Sequence, residues 1–216
     1  MQLKDHLFAV YKPKGPTSHD IINRLRKITG EKRIGHAGTL DPLASGVLVV
    51  GVGREATKQL AQIVAKEKEY LATIYLGFNS TTDDEAGKKI KVEASTFPTI
   101  ESVKQALKQF LGQISQTPPN FSAVKVQGQE AYKLAYKGKN FTLKPKLVEA
   151  KQIELLEYKW PFLKLKIVTG PGFYIRSLAR DLGEKLKTGG YISELERIRV
   201  GNFTKEKAVR LEKVYS

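Results

Sequence analysis

The chain has 216 residues, 41% of them hydrophobic, and no cysteine. It can therefore build a sizeable core unaided, while disulfides, thiolate metal sites and cysteine nucleophiles are excluded. Thirty-seven Lys and Arg against twenty-two Asp and Glu leave a formal charge of +15. That excess points to a nucleic-acid partner through phosphate neutralisation, with a lysine-rich surface as the plain alternative.

The first element is a short apolar strand, Leu7–Tyr11, followed by the breaker-rich turn Lys12-Pro-Lys-Gly-Pro16. Thr17 or Ser18 then caps a helix with Ile21, Ile22, Leu25 and Ile28 at helical spacing, stopped by Gly30. Between Arg33 and Leu48 lies a loop rich in glycine, and after it a buried strand, Val47–Val52. A helix is expected from about Arg54 to Lys66, and a strand of high β-propensity over Glu69–Phe78. The polar loop 79–87 and a short strand at Ile90–Val92 follow. Thr99 caps a further helix carrying Val103, Leu107, Phe110 and Leu111, which Gly112 stops. Strands resume near Glu149–Tyr158 and Phe162–Thr169; in the second, Leu163, Leu165 and Ile167 alternate with Lys164 and Lys166, the half-buried pattern. Gly170-Pro-Gly172 breaks the run before a helix over roughly Ile175 to Lys187. Strands and helices without regular βαβ alternation predict an α+β fold with a largely antiparallel sheet, and no repeat is evident. The N-terminal stretch Met1–Phe8 lacks a long apolar region, and the apolar runs are too short to cross a bilayer, so a cytoplasmic protein with no membrane association is expected.

One stretch stands apart in composition. Ala123–Lys151 holds seven lysines and two acids, with Tyr132, Tyr136 and Phe141 among them. Such a mixture suits RNA, whose bases stack on aromatics while phosphates meet lysines; it equally suits a surface hairpin tucking its aromatics into a core.

The chemistry points to Asp41. Metal sites are not indicated, because His6, His19 and His36 are isolated from acids at ligand spacing. Gly51-Val-Gly53 lacks the remaining marks of a nucleotide-binding loop, and Ser45 and Ser177 have no nucleophile elbow. Asp41, by contrast, sits between Gly38 and Gly46 just before Pro42, which restricts it to an extended conformation. Three readings stand: a turn residue, a cap, or a catalytic carboxylate. A second segment, Gly170–Gly183, runs from breakers into a helix with Tyr174 and Arg176 near its start. Arg176 has the chemistry to pair with Asp41, or to face solvent beside Arg180 and Asp181.

Gly35-His-Ala-Gly-Thr-Leu-Asp-Pro-Leu-Ala-Ser-Gly-Val-Leu48 closely resembles the catalytic motif of the bacterial tRNA pseudouridine-55 synthases. Tyr11-Lys-Pro-Lys-Gly-Pro-Thr-Ser18, Lys68-Glu-Tyr70, Thr117-Pro-Pro-Asn-Phe-Ser-Ala-Val-Lys125 and Gly172–Gly183 are similar to that family's other motifs, in family order across nearly the whole chain. The resemblance implies the pseudouridine synthase fold: a mixed, mostly antiparallel sheet flanked by helices, with a thumb-like RNA-binding insertion at about 120–150. It implies one catalytic domain over 1–216 without the small C-terminal RNA-binding module (PUA type) of many members. The implied reaction detaches uracil from ribose, turns it and rejoins it through C5, with no cofactor and no metal. Asp41 would be the catalytic carboxylate, attacking C1′ or taking a proton from C2′; Arg176 would pair with it; Tyr70 would stack on the base and assist the final deprotonation. His36, Tyr174, Leu195, Lys12 and Lys125 would bind the substrate. The implied partner is the T-stem-loop of tRNA, met by a monomer that needs no protein partner. Two alternatives are a guide-RNA-dependent relative acting on ribosomal RNA and an RNA-binding protein without catalysis. A pure binder has no reason to keep an acid facing phosphate, since the acid costs affinity.

Overall fold

A computed structural model describes residues 6–94 and 96–211. Part of the N-terminal stretch read as lacking an apolar leader lies outside them. The first elements are strand β1 (His6–Lys12), helix α1 (Ser18–Thr29), β2 (Ile34–Ala37), β3 (Ser45–Val52), α2 (Arg54–Val64) and β4 (Lys68–Leu76). Next come β5 (Phe78–Ser80), β6 (Lys89–Lys91), α3 (Ile100–Lys108), β7 (Gly112–Gln116), β8 (Lys125–Val126), β9 (Gln129–Glu130) and α4 (Ala131–Tyr136). The last are β10 (Lys146–Lys159), β11 (Phe162–Thr169), α5 (Ile175–Lys185), β12 (Gly190–Val200) and β13 (Phe203–Thr204).

Hydrogen-bonded neighbours run β1-β3-β12-β4-β11-β10-β7, with β2 on β3 and β13 on β12, and two small hairpins, β5-β6 and β8-β9, stand apart. β1 and β2 pair antiparallel with β3, β7 with β10 and β13 with β12, whereas β12 runs parallel to β3. The expected α+β class with a mixed, mostly antiparallel sheet is found. The chain forms two compact units, the first Met1–Leu71, Val168–Pro171 and Leu195–Ser216, the second Ala72–Ile167 and Gly172–Glu194. No helix among the described residues is long and apolar enough to cross a membrane.

In the first unit, α1 starts where the sequence places it. The Thr17 hydroxyl accepts from the Asp20 amide at 3.1 Å and the Asp20 carboxylate accepts from the Thr17 amide at 2.8 Å, a reciprocal capping box. Gly30 ends the helix at φ +70, donating its N–H to the Arg26 carbonyl. The buried stripe is Ile21, Ile22 and Leu25. Strand β3 is apolar on both faces, as a central strand must be; Val47, Leu48, Val49 and Val50 are completely buried. β1 pairs with β3 from Gly46 to Val52, so β2 and β12 share the opposite edge, β2 at Val49–Val52 and β12 at Ser45 and Gly46. Ala9, Ala37, Val47, Val49, Leu60 and Val200 form the core there.

In the second unit, Leu163, Leu165 and Ile167 are fully buried, and α5 buries Ile175, Leu178 and Leu182. Gly183 lies so close to the Gly189–Gly190 backbone that a Cβ there would overlap it.

Several elements depart from the sequence-based expectation. The strand expected through Phe78 stops at Leu76, because Gly77 takes φ +95 and redirects the chain into β5. Helix α3 ends at its Gln109 cap, three residues before Gly112. β2, β7 and β12 were not anticipated.

Candidate active site

The residues expected to act fall in both units: Lys12, His36, Asp41, Tyr70 and Leu195 in the first, Lys125, Tyr174 and Arg176 in the second.

Within the first unit, the loop carrying Asp41 leaves β2 and enters β3, and main-chain bonds fix it along its length. The Arg197 guanidinium donates from Nη2 to the Gly38 carbonyl at 2.9 Å and from Nε to the Val47 carbonyl at 2.8 Å. Ser18 accepts from the Leu40 amide at 2.9 Å and donates to the Leu40 carbonyl at 3.0 Å. The Gly15 amide donates to the Pro42 carbonyl at 2.8 Å, and the Ala44 amide closes a turn onto the Asp41 carbonyl at 3.0 Å. Asp41 thus accepts a turn bond through its backbone, and the residue is half-buried. Gly46 explains itself: it has φ +110, and a Cβ there would overlap the Arg197 carbonyl oxygen and lie 2.8 Å from the Arg197 nitrogen.

Lys12, last in β1 and paired in register with Gly46, is completely buried. Its ammonium donates to the Pro13 and Pro16 carbonyls at 2.9 and 2.8 Å. Burial pulls its pKa down to about 8; the Asp41 carboxylate opposes this and the Arg197 charge adds to it. His36 is also shifted down, by burial first and then by the Arg197 and His19 charges, so its imidazole is neutral at pH 7. Its Nδ1 is buried and makes no hydrogen bond to the protein. Tyr70 on β4 and Leu195 on β12 are buried, at 7% and 8% exposure. Lys68 has its ammonium on the Val64 and Lys66 carbonyls, at 2.7 Å each, and burial brings its pKa down to about 8. The first unit thus sets the Asp41 carboxylate within the field of the buried Lys12 ammonium, which also feels Arg197 and Asp20.

Within the second unit, the start of α5 is a hub. Arg176 is buried rather than solvent-facing: Nη1 donates to the Thr82 carbonyl at 3.2 Å and lies 3.8 Å from the Asp84 carboxylate, while Nη2 donates to the Phe121 carbonyl at 2.9 Å. Arg180 joins Asp83 at 2.9 Å and the Thr117 carbonyl at 2.9 Å, and the Ser177 hydroxyl donates to the same carbonyl. The Gln116 side chain brackets the backbone of Tyr174, accepting from its amide at 2.8 Å and donating to its carbonyl at 3.1 Å. Burial raises the Asp83 pKa, against the pull of Arg180 and Arg176. Lys125 is exposed on β8. Tyr136 is 78% exposed and meets Phe121 and Tyr132 edge-on at 5.2 and 6.4 Å, so these aromatics form a surface cluster among the lysines. Among the described residues, no group of three or more His, Asp and Glu is placed to hold a metal ion.

Sequence reasoning missed Arg197, Ser18, Arg180, Asp83 and Asp84. A signal existed for the last two, since paired acids in a loop of a basic chain raise the same question as Asp41. None existed for Arg197 or Ser18, whose partners are carbonyls and amides far along the chain.

Comparison with known proteins agrees with this architecture. The family model described as TruB family pseudouridylate synthase (N terminal domain) matches residues 26–175, and that described as tRNA pseudouridylate synthase B C-terminal domain matches 176–216. A protein named tRNA pseudouridine synthase B from Acaryochloris marina is 46% identical over 191 residues, covering 87% of this chain and 65% of its own. One of the same name from Protochlamydia amoebophila is 41% identical over 210 residues, covering 97% and 79%. Among solved structures, a chain of a Cbf5-Nop10-Gar1 complex superposes with a TM-score of 0.75 at 29% identity, covering 98% of this chain and 54% of that one. The fold is that of the pseudouridine synthases, and the chain belongs to the TruB family among them. It spans about two thirds of the Acaryochloris relative and about half of the solved chain.

Proposed function

We propose that this chain converts uridine to pseudouridine in tRNA, at position 55 of the T-loop, with Asp41 as the catalytic carboxylate. The observation that carries the reading is the Asp41 loop, its backbone held at Gly38, Leu40, Pro42 and Val47 while its one acid stands in the field of the buried Lys12 ammonium. Preorganised charge of that kind is what a reaction with a charged transition state needs. Relatives named tRNA pseudouridine synthase B are 41–46% identical to the chain, against 29% for the chain of the Cbf5-Nop10-Gar1 complex, which favours tRNA as the substrate.

In the proposed reaction the N1–C1′ bond breaks, the uracil turns, and a C5–C1′ bond forms. The C5 hydrogen leaves as a proton, and N1 gains one. Asp41 either attacks C1′ or removes the C2′ proton; both routes need it ionised, and neither needs a cofactor. The target uridine is flipped from its stack at a cost of a few kcal/mol. Tyr70 is assigned to stacking on the base and to the C5 deprotonation, Arg176 to supplying positive charge for the reaction, Tyr174 and Leu195 to binding the substrate, and neutral His36 to holding the opened T-loop. Lys12 enters through its field at Asp41, its ammonium being engaged with two carbonyls. Lys125 and the 120–150 segment grip the stem as a thumb, and the exposed Tyr136 cluster suits stacking on RNA.

The test uses T-arm RNA tritiated at uridine C5. Label passes to water with the wild type; Asp41→Asn binds the RNA and releases none. Release by Asp41→Asn at the wild-type rate would overturn the assignment.

A further inference from the structure

Arg197 is a buried cation that the proposed reaction leaves without a task. It is the bulkiest of the fully enclosed side chains, at 2% exposure. Among the described residues its guanidinium pairs with no carboxylate; both of its side-chain hydrogen bonds go to carbonyls. A buried charge without a counter-ion costs stability. The Lys12, His36 and Lys68 groups all feel the Arg197 charge as a repulsion that pulls their pKa values down. Stability alone does not account for such a residue.

Its geometry does. Nε and Nη2 form one edge of the planar guanidinium, two donors at a fixed separation. One meets the Gly38 carbonyl and the other the Val47 carbonyl, so a single rigid group spans the two ends of the loop that carries Asp41. The Arg197 backbone grips the same loop a second time, in register with Gly46. Gly38 takes φ +81, a backbone conformation that favours glycine, and there it presents its carbonyl to the guanidinium. We propose that Arg197 is a positioning residue for the reaction, its guanidinium edge fixing the separation of Gly38 and Val47 and thereby the placement of the Asp41 carboxylate. This rests on the reading of Asp41 as the catalytic group. A lysine keeps the charge but has no second donor at a fixed separation, so it holds one end of the loop and frees the other. A carboxylate displaced by about 1 Å loses on the order of a hundredfold in rate, while RNA affinity, set by phosphate and stacking contacts elsewhere, is retained.

The experiment compares wild type, Arg197→Lys, Arg197→Gln and a control, Arg199→Met, in the same strand. Arg199 engages Glu67 and Glu69 instead of the loop. Three readouts are taken on the full chain: single-turnover tritium release from T-arm RNA, RNA affinity, and amide hydrogen exchange of residues 39–46. Arg197→Lys is expected to slow release about a hundredfold, to keep affinity within about threefold and to speed exchange of 39–46 more than exchange in α1. Arg199→Met is expected to do none of these. The proposal is overturned if either Arg197 variant releases label within about threefold of wild type, if its rate loss is matched by its loss of RNA affinity, or if loop exchange is unchanged. Should a variant unfold, the other decides; should both unfold at temperatures where Arg199→Met is folded, the residue is a stability element and the proposal falls. A wild type that releases no label overturns the activity reading, and the exchange comparison then still decides whether Arg197 holds the loop.

Discussion

Gly46→Ala tests the close approach of β12 to the Asp41 loop, and Gly15→Ala supplies its internal reference. The two glycines have nearly the same strained backbone, φ +110 and +113. A Cβ at Gly15 meets nothing within 4 Å, whereas one at Gly46 overlaps the Arg197 carbonyl oxygen. Gly15→Ala therefore reports the backbone strain alone, about 1–3 kcal/mol. Gly46→Ala adds the displacement of β12 from β3, which weakens the pairs at Ser45 and Gly46. At about 1 kcal/mol for each hydrogen bond, and with the Arg197 anchors loosened as well, the total reaches roughly 4–6 kcal/mol, a large part of a typical 5–15 kcal/mol stability. Urea unfolding followed by circular dichroism measures both variants, and tritium release from T-arm RNA reads the loop directly. Gly46→Ala is expected to unfold at much lower urea than Gly15→Ala and to lose release even where folded. Equal midpoints for the two variants would refute the reasoning, because the overlap would then cost nothing.

Other outcomes follow from single contacts. Thr17→Ala removes the α1 cap and is expected to cost about 1 kcal/mol, a fall in Tm of about 2–4 °C for a chain of this size; calorimetry of the Thr17→Ala/Asp20→Ala double variant should show less than the sum of the singles. The Lys68 pKa falls from 10.5 to about 8 on folding. Below pH 8 both states hold the proton and the cost of burying the ammonium is complete; between pH 8 and 10.5 the folded state has released it and the unfolded state has not, so Lys68 makes stability rise with pH. The wild type should thus gain up to about 3 kcal/mol relative to Lys68→Met between pH 7.5 and 10.5, and parallel pH curves for the two would contradict the shift. Changing Lys133, Lys137 and Lys139 together to Gln should flatten the slope of log RNA affinity against log salt by about 2; an unchanged slope removes that segment from the RNA contact.

Local chemistry was legible in the sequence where its partners lie within a few residues. The Thr17–Asp20 box, the Gly30 stop, the all-apolar β3 and the alternation of β11 need only neighbours along the chain. β12 was not legible: Glu194-Leu-Glu-Arg-Ile-Arg199 reads as a charged surface run, and Arg197 becomes a core residue only because the Gly38 and Val47 carbonyls meet it. The site divides in the same way. Asp41 stood out through its flanking glycines and proline. Arg176 carries the chemistry to pair with that acid, but its bonds to Thr82 and Phe121 are hidden from the sequence, since carbonyls carry no sequence signature. The aromatics of 123–151 left two readings open; exposure of Tyr136 decides against a core role for that residue.

The hub at the start of α5 has a consequence for how this protein tolerates change. Arg176, Ser177 and Arg180 hold the neighbouring loops through the main-chain oxygens of Thr82, Phe121 and Thr117. Every residue type offers that oxygen, so these bonds read the path of the loops and not the side chains along it. The side-chain contacts of Thr82 with Asp84 and of Phe121 with Tyr136 are separate from these bonds, so a change in either side chain leaves the mooring of its loop in place. The donors have no such freedom. Variation is thereby steered to one side of each contact, and the side chains of these loops can be exchanged without rebuilding the frame beneath them.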